Sequence, residues 1–233
     1  MRTMIAGLSS LAFCLSAAAD QTINGPALVV DGDTLEINGR QVRLLGVDAP
    51  EAAQVLPLPT GGRDFFGRGA ALVLRSMVQE NKITCKLSSQ DDKRGVKLAT
   101  CFSGKSDLGA EMVSRGMAWA TTSYPSPYAA VEQEAQRKRR GLWRDSIERP
   151  WFFRRRRLQV AASKAPKGCP FKGVIGRSGD RIYFSPWSPW YERIKIDAAK
   201  GSRWFCSEAE AVSHGWKEAR FLMTSIISGV YDP

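Results

Sequence analysis

DGDTLEINGRQVRLLGVDAPE, residues 31–51, sets two short β-rich runs on either side of Asn38-Gly39. That dipeptide tolerates positive φ at both central positions of a tight type I′ turn, so strand, turn, strand is the expected local structure. Counting from the turn puts Asp33 opposite Leu44. Asp48 lies four residues beyond Leu44, roughly 13 Å away at the rise of a flat strand. A flat hairpin therefore keeps the two carboxylates apart, and strong coiling, assisted by Gly32 and Gly46, is needed to unite them. Asp31, Asp33, Asp48 and Glu51 crowd this stretch in a chain whose formal net charge is +11. Asp-Gly-Asp alone says little, because such residues often bond their own backbone in turns.

Outward from the hairpin, helices alternate irregularly with strands. Residues 64–80 carry Phe66, Ala70, Leu74 and Met77 at helical spacing, while KITCKL (82–87) and LATCF (98–102) read as strands. DLGAEMVSRGM reads as a helix capped by Asp107 and ending near Gly116. In SPYAAVEQEAQRKRRGLW, Ser126 is placed to cap a helix, Pro127 falls in its first turn and Gly141 stops it. This order suits a small α+β barrel better than a doubly wound sheet.

The 233 residues, 43% of them hydrophobic, can bury one good core and a smaller second unit. Residues 1–19 combine one Arg, an apolar run and a small-residue end at Ala17-Ala18-Ala19, which reads as a cleaved secretory signal. A lipid anchor on Cys14 is disfavoured by Phe13, and no later segment approaches the ~20 apolar residues of a membrane span. The expected divisions are a barrel domain over 20–148, a basic linker over 149–167 (around RPWFFRRRR) and a small cysteine-containing α+β module over 168–233. The linker has two readings: a nucleic-acid contact through its charge and aromatics, or a solvated segment whose aromatics pack on the barrel. In the module, KGVIG and RIYFS read as strands, and Ser207 with Glu210 as a capping box. Its dense aromatics, Tyr183, Phe184, Trp187, Trp190 and Tyr191, serve as core more readily than as a ligand platform.

Export places Cys85, Cys101, Cys169 and Cys206 in an oxidising compartment, where an even number favours disulfides. Of three possible pairings, Cys85–Cys101 and Cys169–Cys206 keep each bridge within one unit. A zinc site is a poor reading, with no CxxC and a single histidine, His214. The basic excess attracts polyanions: nucleic acid, anionic polysaccharide or an anionic membrane surface. GKS at 104–106 is no phosphate loop, since Ala99 stands where the first glycine belongs.

The hairpin followed by RLLGVDAPE, then GAEMVSRGMAWA and EQEAQRKRRGLW, closely resembles the staphylococcal nuclease family over residues 26–143. The resemblance implies a mainly β, α+β fold, a five-stranded OB-type barrel with packed helices. It implies Ca²⁺-dependent hydrolysis of phosphodiesters in single-stranded or frayed DNA or RNA, leaving 3′-phosphates; with the signal-like residues 1–19, the expectation is an exported, periplasmic or extracellular protein, and a monomer. It places metal ligands at Asp33, Asp48 and the carbonyl of Ala49, a general base at Glu51 and a phosphate-binding arginine at Arg43. Hard carboxylate oxygens suit Ca²⁺, and a planar guanidinium fork suits a phosphate. Tyr124 matches a family substrate contact, and Lys93 is a further expected substrate contact. The family's second catalytic arginine is replaced by Val96 in DKRGV, which makes Arg94 the nearest substitute and implies reduced turnover. The alternative is a non-catalytic module that binds nucleic acid or an anionic envelope polysaccharide.

Overall fold

The computed structural model describes residues 21–57, 63–121, 126–145, 147–176 and 178–220. The expected signal at 1–19 and Tyr124 lie outside the described residues. Asn38 and Gly39 adopt φ of 50° and 75°, the signature of a type I′ turn, and join β2 (Thr34–Ile37) to β3 (Arg40–Leu44). Thr34 pairs with Arg43 and Ile37 with Arg40, so Asp33 faces Leu44 as the turn demands. β1 (Thr22–Asp31) runs antiparallel to β2 and to β4 (Lys82–Asp91), which pairs in turn with β5 (Lys97–Ser103). A parallel pairing of β3 with β5, Val42 with Lys97 through Leu44 with Ala99, closes the five strands into a barrel.

Alternation fills that barrel. Leu35 and Ile37 of β2, Ile83, Cys85 and Leu87 of β4, and Ala99 and Cys101 of β5 all point inward. Cys85 and Cys101 are direct cross-strand partners and form a disulfide inside the core. α1 (Phe66–Val78) turns Gly67, Ala70, Ala71, Leu74 and Val78 to the barrel, the i, i+3, i+4 spacing of a single apolar face. Burying Leu74 alone contributes about 2 kcal/mol. α2 (Leu108–Ser114) is capped as expected, Asp107 accepting from the amides of Gly109 and Ala110.

Two expectations need correction. α3 spans Ala129–Arg137 and begins after Tyr128, so Ser126 does not cap it. Ser126 instead donates to the Gly46 carbonyl and accepts from the Tyr128 amide, tying the segment to the barrel. The 149–167 stretch, read as a linker, is largely helix: α4 covers Pro150–Lys164. Pro150 starts it with a preset φ. Its arginines and alanines are good helix formers, but it buries Phe153 and Ala161 without a simple apolar stripe, because barrel and module flank it on different sides.

The C-terminal residues form a second sheet of β6 (Phe171–Ile175), β7 (Arg181–Phe184), β8 (Arg203–Phe205) and β9 (Lys217–Glu218), in the order β8-β6-β7-β9. α5 (Glu208–Ser213) carries the Ser207 cap; Glu210 reaches back to the Cys206 amide, one residue before the box position. Cys169 and Cys206 form the second disulfide. Phe153 of α4 joins Phe171, Tyr183, Trp187, Phe205 and Trp216 in one cluster, and Phe184 and Tyr191 are buried in a second, so most of the module's aromatics are core. No helix among the described residues is long and apolar enough to cross a membrane.

Gly67 has a demanding place. A Cβ there would sit 1.8 Å from the Glu51 carbonyl oxygen, whereas one on Gly69, in the same helix, meets nothing within 4 Å. Gly67→Ala is expected to destabilise by about 3 kcal/mol or more, while Gly69→Ala raises stability by up to about 1 kcal/mol. Denaturant unfolding of both variants checks the contrast.

Candidate active site

The bend between β1 and β2 supplies the close approach that a flat hairpin lacks. A Cβ on Gly32 would lie 2.8 Å from the Ala49 Cβ and 2.9 Å from the Ala70 Cβ, so glycine lets residues 48–51 and α1 press against the bend. Gly46, at φ +84°, turns the chain after β3. Asp33 Oδ2 thereby accepts from the Ala49 amide at 3.1 Å, and Asp33 Oδ1 accepts from the Thr34 hydroxyl at 2.8 Å. The coiling expected from the sequence is present, and it unites Asp33 with the Asp48-Ala49 segment.

Arg43 is 5% exposed. Its Nε lies 3.4 Å from Asp33 Oδ1 and donates to Thr34 Oγ1 at 3.1 Å; Nη1 donates to Asp92, and Nη2 sits 3.4 Å from Glu218 Oε2. Burial opposes its charge, but Asp33, Asp92 and Glu218 more than reverse that and raise its pKa. Asp92 also organises the next loop, accepting from the amides of Arg94 and Val96. Val96 is buried and apolar and gives the site no donor. Arg94 Nε pairs with Asp92 at 3.2 Å and lies 3.7 Å from Glu208. Lys93 and Arg94 line, with Arg43, Asp48 and Gln90, a cleft of about 270 Å³.

The floor of that cleft holds a residue the sequence did not single out. Arg154 of α4 forks onto Asp48, Nη1 to Oδ1 at 2.9 Å and Nη2 to Oδ2 at 2.7 Å, and Nη1 also reaches Glu51 Oε1 at 2.6 Å. RRRR at 154–157 was visible, but only helical phase decides that the first of the four enters the cleft. Glu208, Glu218 and Asp92 were missed too, for they are brought in by long-range packing. Asp31 is the other addition: its carboxyl accepts from the Gly32 amide, and burial, aided by Asp33 and Glu218, pushes its pKa up to about 8.

Burial likewise raises the pKa of Asp48 and Glu51, against the pull of Arg154 in both cases. Among the described residues, no group of three or more His, Cys, Asp or Glu is disposed to hold a metal ion. The donor chemistry nevertheless fits Ca²⁺: Asp33, Asp48 and Glu51 offer hard anionic oxygens beside the backbone of Ala49. Both oxygens of Asp48 and one of Glu51 are engaged by Arg154, so a guanidinium and a metal ion would contend for the same lone pairs.

Glu218 is pushed up to about 7, chiefly by burial. A carboxyl whose pKa is raised on folding binds its proton more tightly in the native state. The stability it lends is full below the unfolded value and is lost as pH rises through the folded value. With Asp31 at about 8 and Glu218 at about 7, the melting midpoint in EDTA is expected to fall by several degrees between about pH 5 and about pH 8. Glu218→Gln should flatten that slope in thermal melts.

Residues 41–145 match the profile of the family described as Staphylococcal nuclease homologue. The chain is 36% identical to the succinoglycan biosynthesis protein ExoI of Rhizobium meliloti over 152 residues, covering 63% of this chain and 78% of that protein. It is 36% identical to the micrococcal nuclease of Shigella flexneri over 145 residues, 54% of this chain and 77% of the relative. An uncharacterized endonuclease of Haemophilus influenzae is 30% identical over 142 residues, 57% of this chain and 74% of the relative. With the barrel, the coiled hairpin and these relatives in agreement, the chain belongs to the staphylococcal nuclease family.

Proposed function

We propose that this protein is an exported, monomeric, Ca²⁺-dependent nuclease that hydrolyses phosphodiester bonds of DNA or RNA, with 3′-phosphate products. The observation that carries the reading is the convergence of Asp33, Asp48, Ala49, Glu51 and Arg43 at one end of a +11 chain. Two disulfides support an oxidising destination.

Asp33, Asp48 and the Ala49 carbonyl would hold the ion, which when bound supplies positive charge to a phosphate oxygen. Arg43, held in orientation by Asp33 and Thr34, presents its fork to the phosphate and stabilises charge as the phosphorus becomes five-coordinate. Glu51, fixed by α1 through the close contact at Gly67, orients the attacking water and accepts its proton. Lys93 and Arg94 draw the nucleic-acid backbone into the cleft. Val96 leaves one donor missing, and turnover is expected to be low for that reason.

A second reading, a non-catalytic binder of nucleic acid or anionic polysaccharide, is favoured by Val96 and by the relative named for succinoglycan biosynthesis. Cleavage of fluorescent single-stranded DNA and RNA in Ca²⁺ or EDTA separates the two. Cleavage only in Ca²⁺, lost in Asp33→Ala and reduced about a hundred- to a thousand-fold in Arg43→Ala, supports the nuclease. Binding that survives EDTA, without turnover, supports the binder.

A further inference from the structure

We propose that α4 and the C-terminal module hold the cleft in a self-occluded state, with Arg154 in the place of the metal cation and Glu218 and Glu208 in the place of substrate phosphate. The inference rests on the Ca²⁺-dependent reading above and concerns the regulation of the same site.

The occupancy is complementary on both sides. On the acidic side, the Arg154 fork takes both oxygens of Asp48 at 2.7 and 2.9 Å and one of Glu51 at 2.6 Å. The Asp48 oxygens are ones that a divalent cation held with Asp33 and Ala49 would draw on, and the fork at hydrogen-bond distance contends for both of them. On the basic side, both terminal nitrogens of Arg43 face carboxylates, Nη1 that of Asp92 and Nη2 that of Glu218 at 3.4 Å. Arg94 lies between Asp92 and Glu208, 3.2 and 3.7 Å away. A carboxylate and a phosphate present the same kind of paired oxygen acceptors to a guanidinium.

The occluding groups come from a latched body. Gln41 of β3, two residues from Arg43, donates Nε2 to the Glu218 carbonyl and accepts from the Glu218 amide, each at 2.9 Å. Gln54 Nε2 donates to the Glu148 carbonyl just before α4. Phe153, the neighbour of Arg154, is buried in the module's aromatic cluster, so Arg154 cannot leave freely while that cluster stays packed on the barrel.

Opening the latch by itself is unfavourable, because it strands buried charges on both sides. Ca²⁺ exchanged for Arg154 and phosphate exchanged for Glu218 give Asp48 and Arg43 new partners, while the displaced side chains return to water. Ca²⁺ and substrate therefore favour the same open state and help each other to bind. Gln90, Lys93 and Arg94 line the cleft beside Arg43, Asp48 and Arg154. While the closed state predominates, apparent Ca²⁺ affinity is reduced by the open fraction.

The test is calorimetric titration of Ca²⁺ into EDTA-stripped mature protein, comparing the parent with Arg154→Ala, Arg154→Lys and Glu218→Gln. Arg154→Ala is expected to bind Ca²⁺ about tenfold more tightly or better, with Arg154→Lys between it and the parent. Glu218→Gln, which keeps Arg154 and loosens the latch, is expected to bind several-fold more tightly than the parent. Circular dichroism in EDTA checks the fold; if Arg154→Ala is unfolded, the other two variants decide by the same criterion. Affinities no tighter than the parent's overturn the occlusion while leaving the Ca²⁺ reading intact. Absence of Ca²⁺ binding in every folded variant overturns the Ca²⁺ reading, and the occlusion with it.

Discussion

Taking carboxylates out of water is the constraint around which the cleft is organised. Asp33, Glu51, Glu208 and Glu218 are all buried, and each must find a proton, a cation or a hydrogen-bond donor to remain there. The structure uses all three. Asp33 takes the Ala49 amide and the Thr34 hydroxyl, Glu51 takes Arg154, and Glu218 takes Arg43 and a raised pKa. Such a collection is held in place by its own electrostatics, since removing one partner leaves its neighbour buried and uncompensated.

That balance depends on backbone contacts that only glycine allows. Gly32 lets the Asp-Gly-Asp bend lie against Ala49 and Ala70, and Gly67 lets the start of α1 lie against the Glu51 carbonyl. A barrel closed by the parallel β3–β5 pairing supplies a rigid frame for both contacts. Precision at the carboxylates thus descends from packing, and the packing from a few positions without side chains.

The C-terminal half changes the meaning of the site. α4 brings Arg154 onto Asp48 from within the cleft, and β9 brings Glu218 against Arg43. The arginine-rich run therefore acts through one side chain aimed inward, more than as a diffuse basic patch. Arg156 stays outside, paired with Glu148, and Arg157 donates to the Pro186 carbonyl.

Of the three disulfide pairings that the sequence left open, the structure holds the favoured one; sequence by itself determined the hairpin, its register, the helix at α1 and the Asp107 cap. Each rests on a local rule: positive φ at Asn38-Gly39, helical spacing from Phe66 to Met77, a side chain matched to its own helix end. Asp33, Asp48, Glu51 and Arg43 were grouped by the resemblance to the staphylococcal nuclease family that the hairpin and RLLGVDAPE carry, and not by their spacing. Sequence misjudged Ser126 and the 149–167 stretch, where tertiary contacts outweigh local signals: Ser126 bonds to Gly46 across the fold, and α4 is covered from more than one side. Arg154, Glu208 and Glu218 lie more than 100 residues from Asp48. Only the tertiary structure could bring them to it, because the pairing of a buried charge is settled by which distant side chain can reach it, and sequence spacing does not record that.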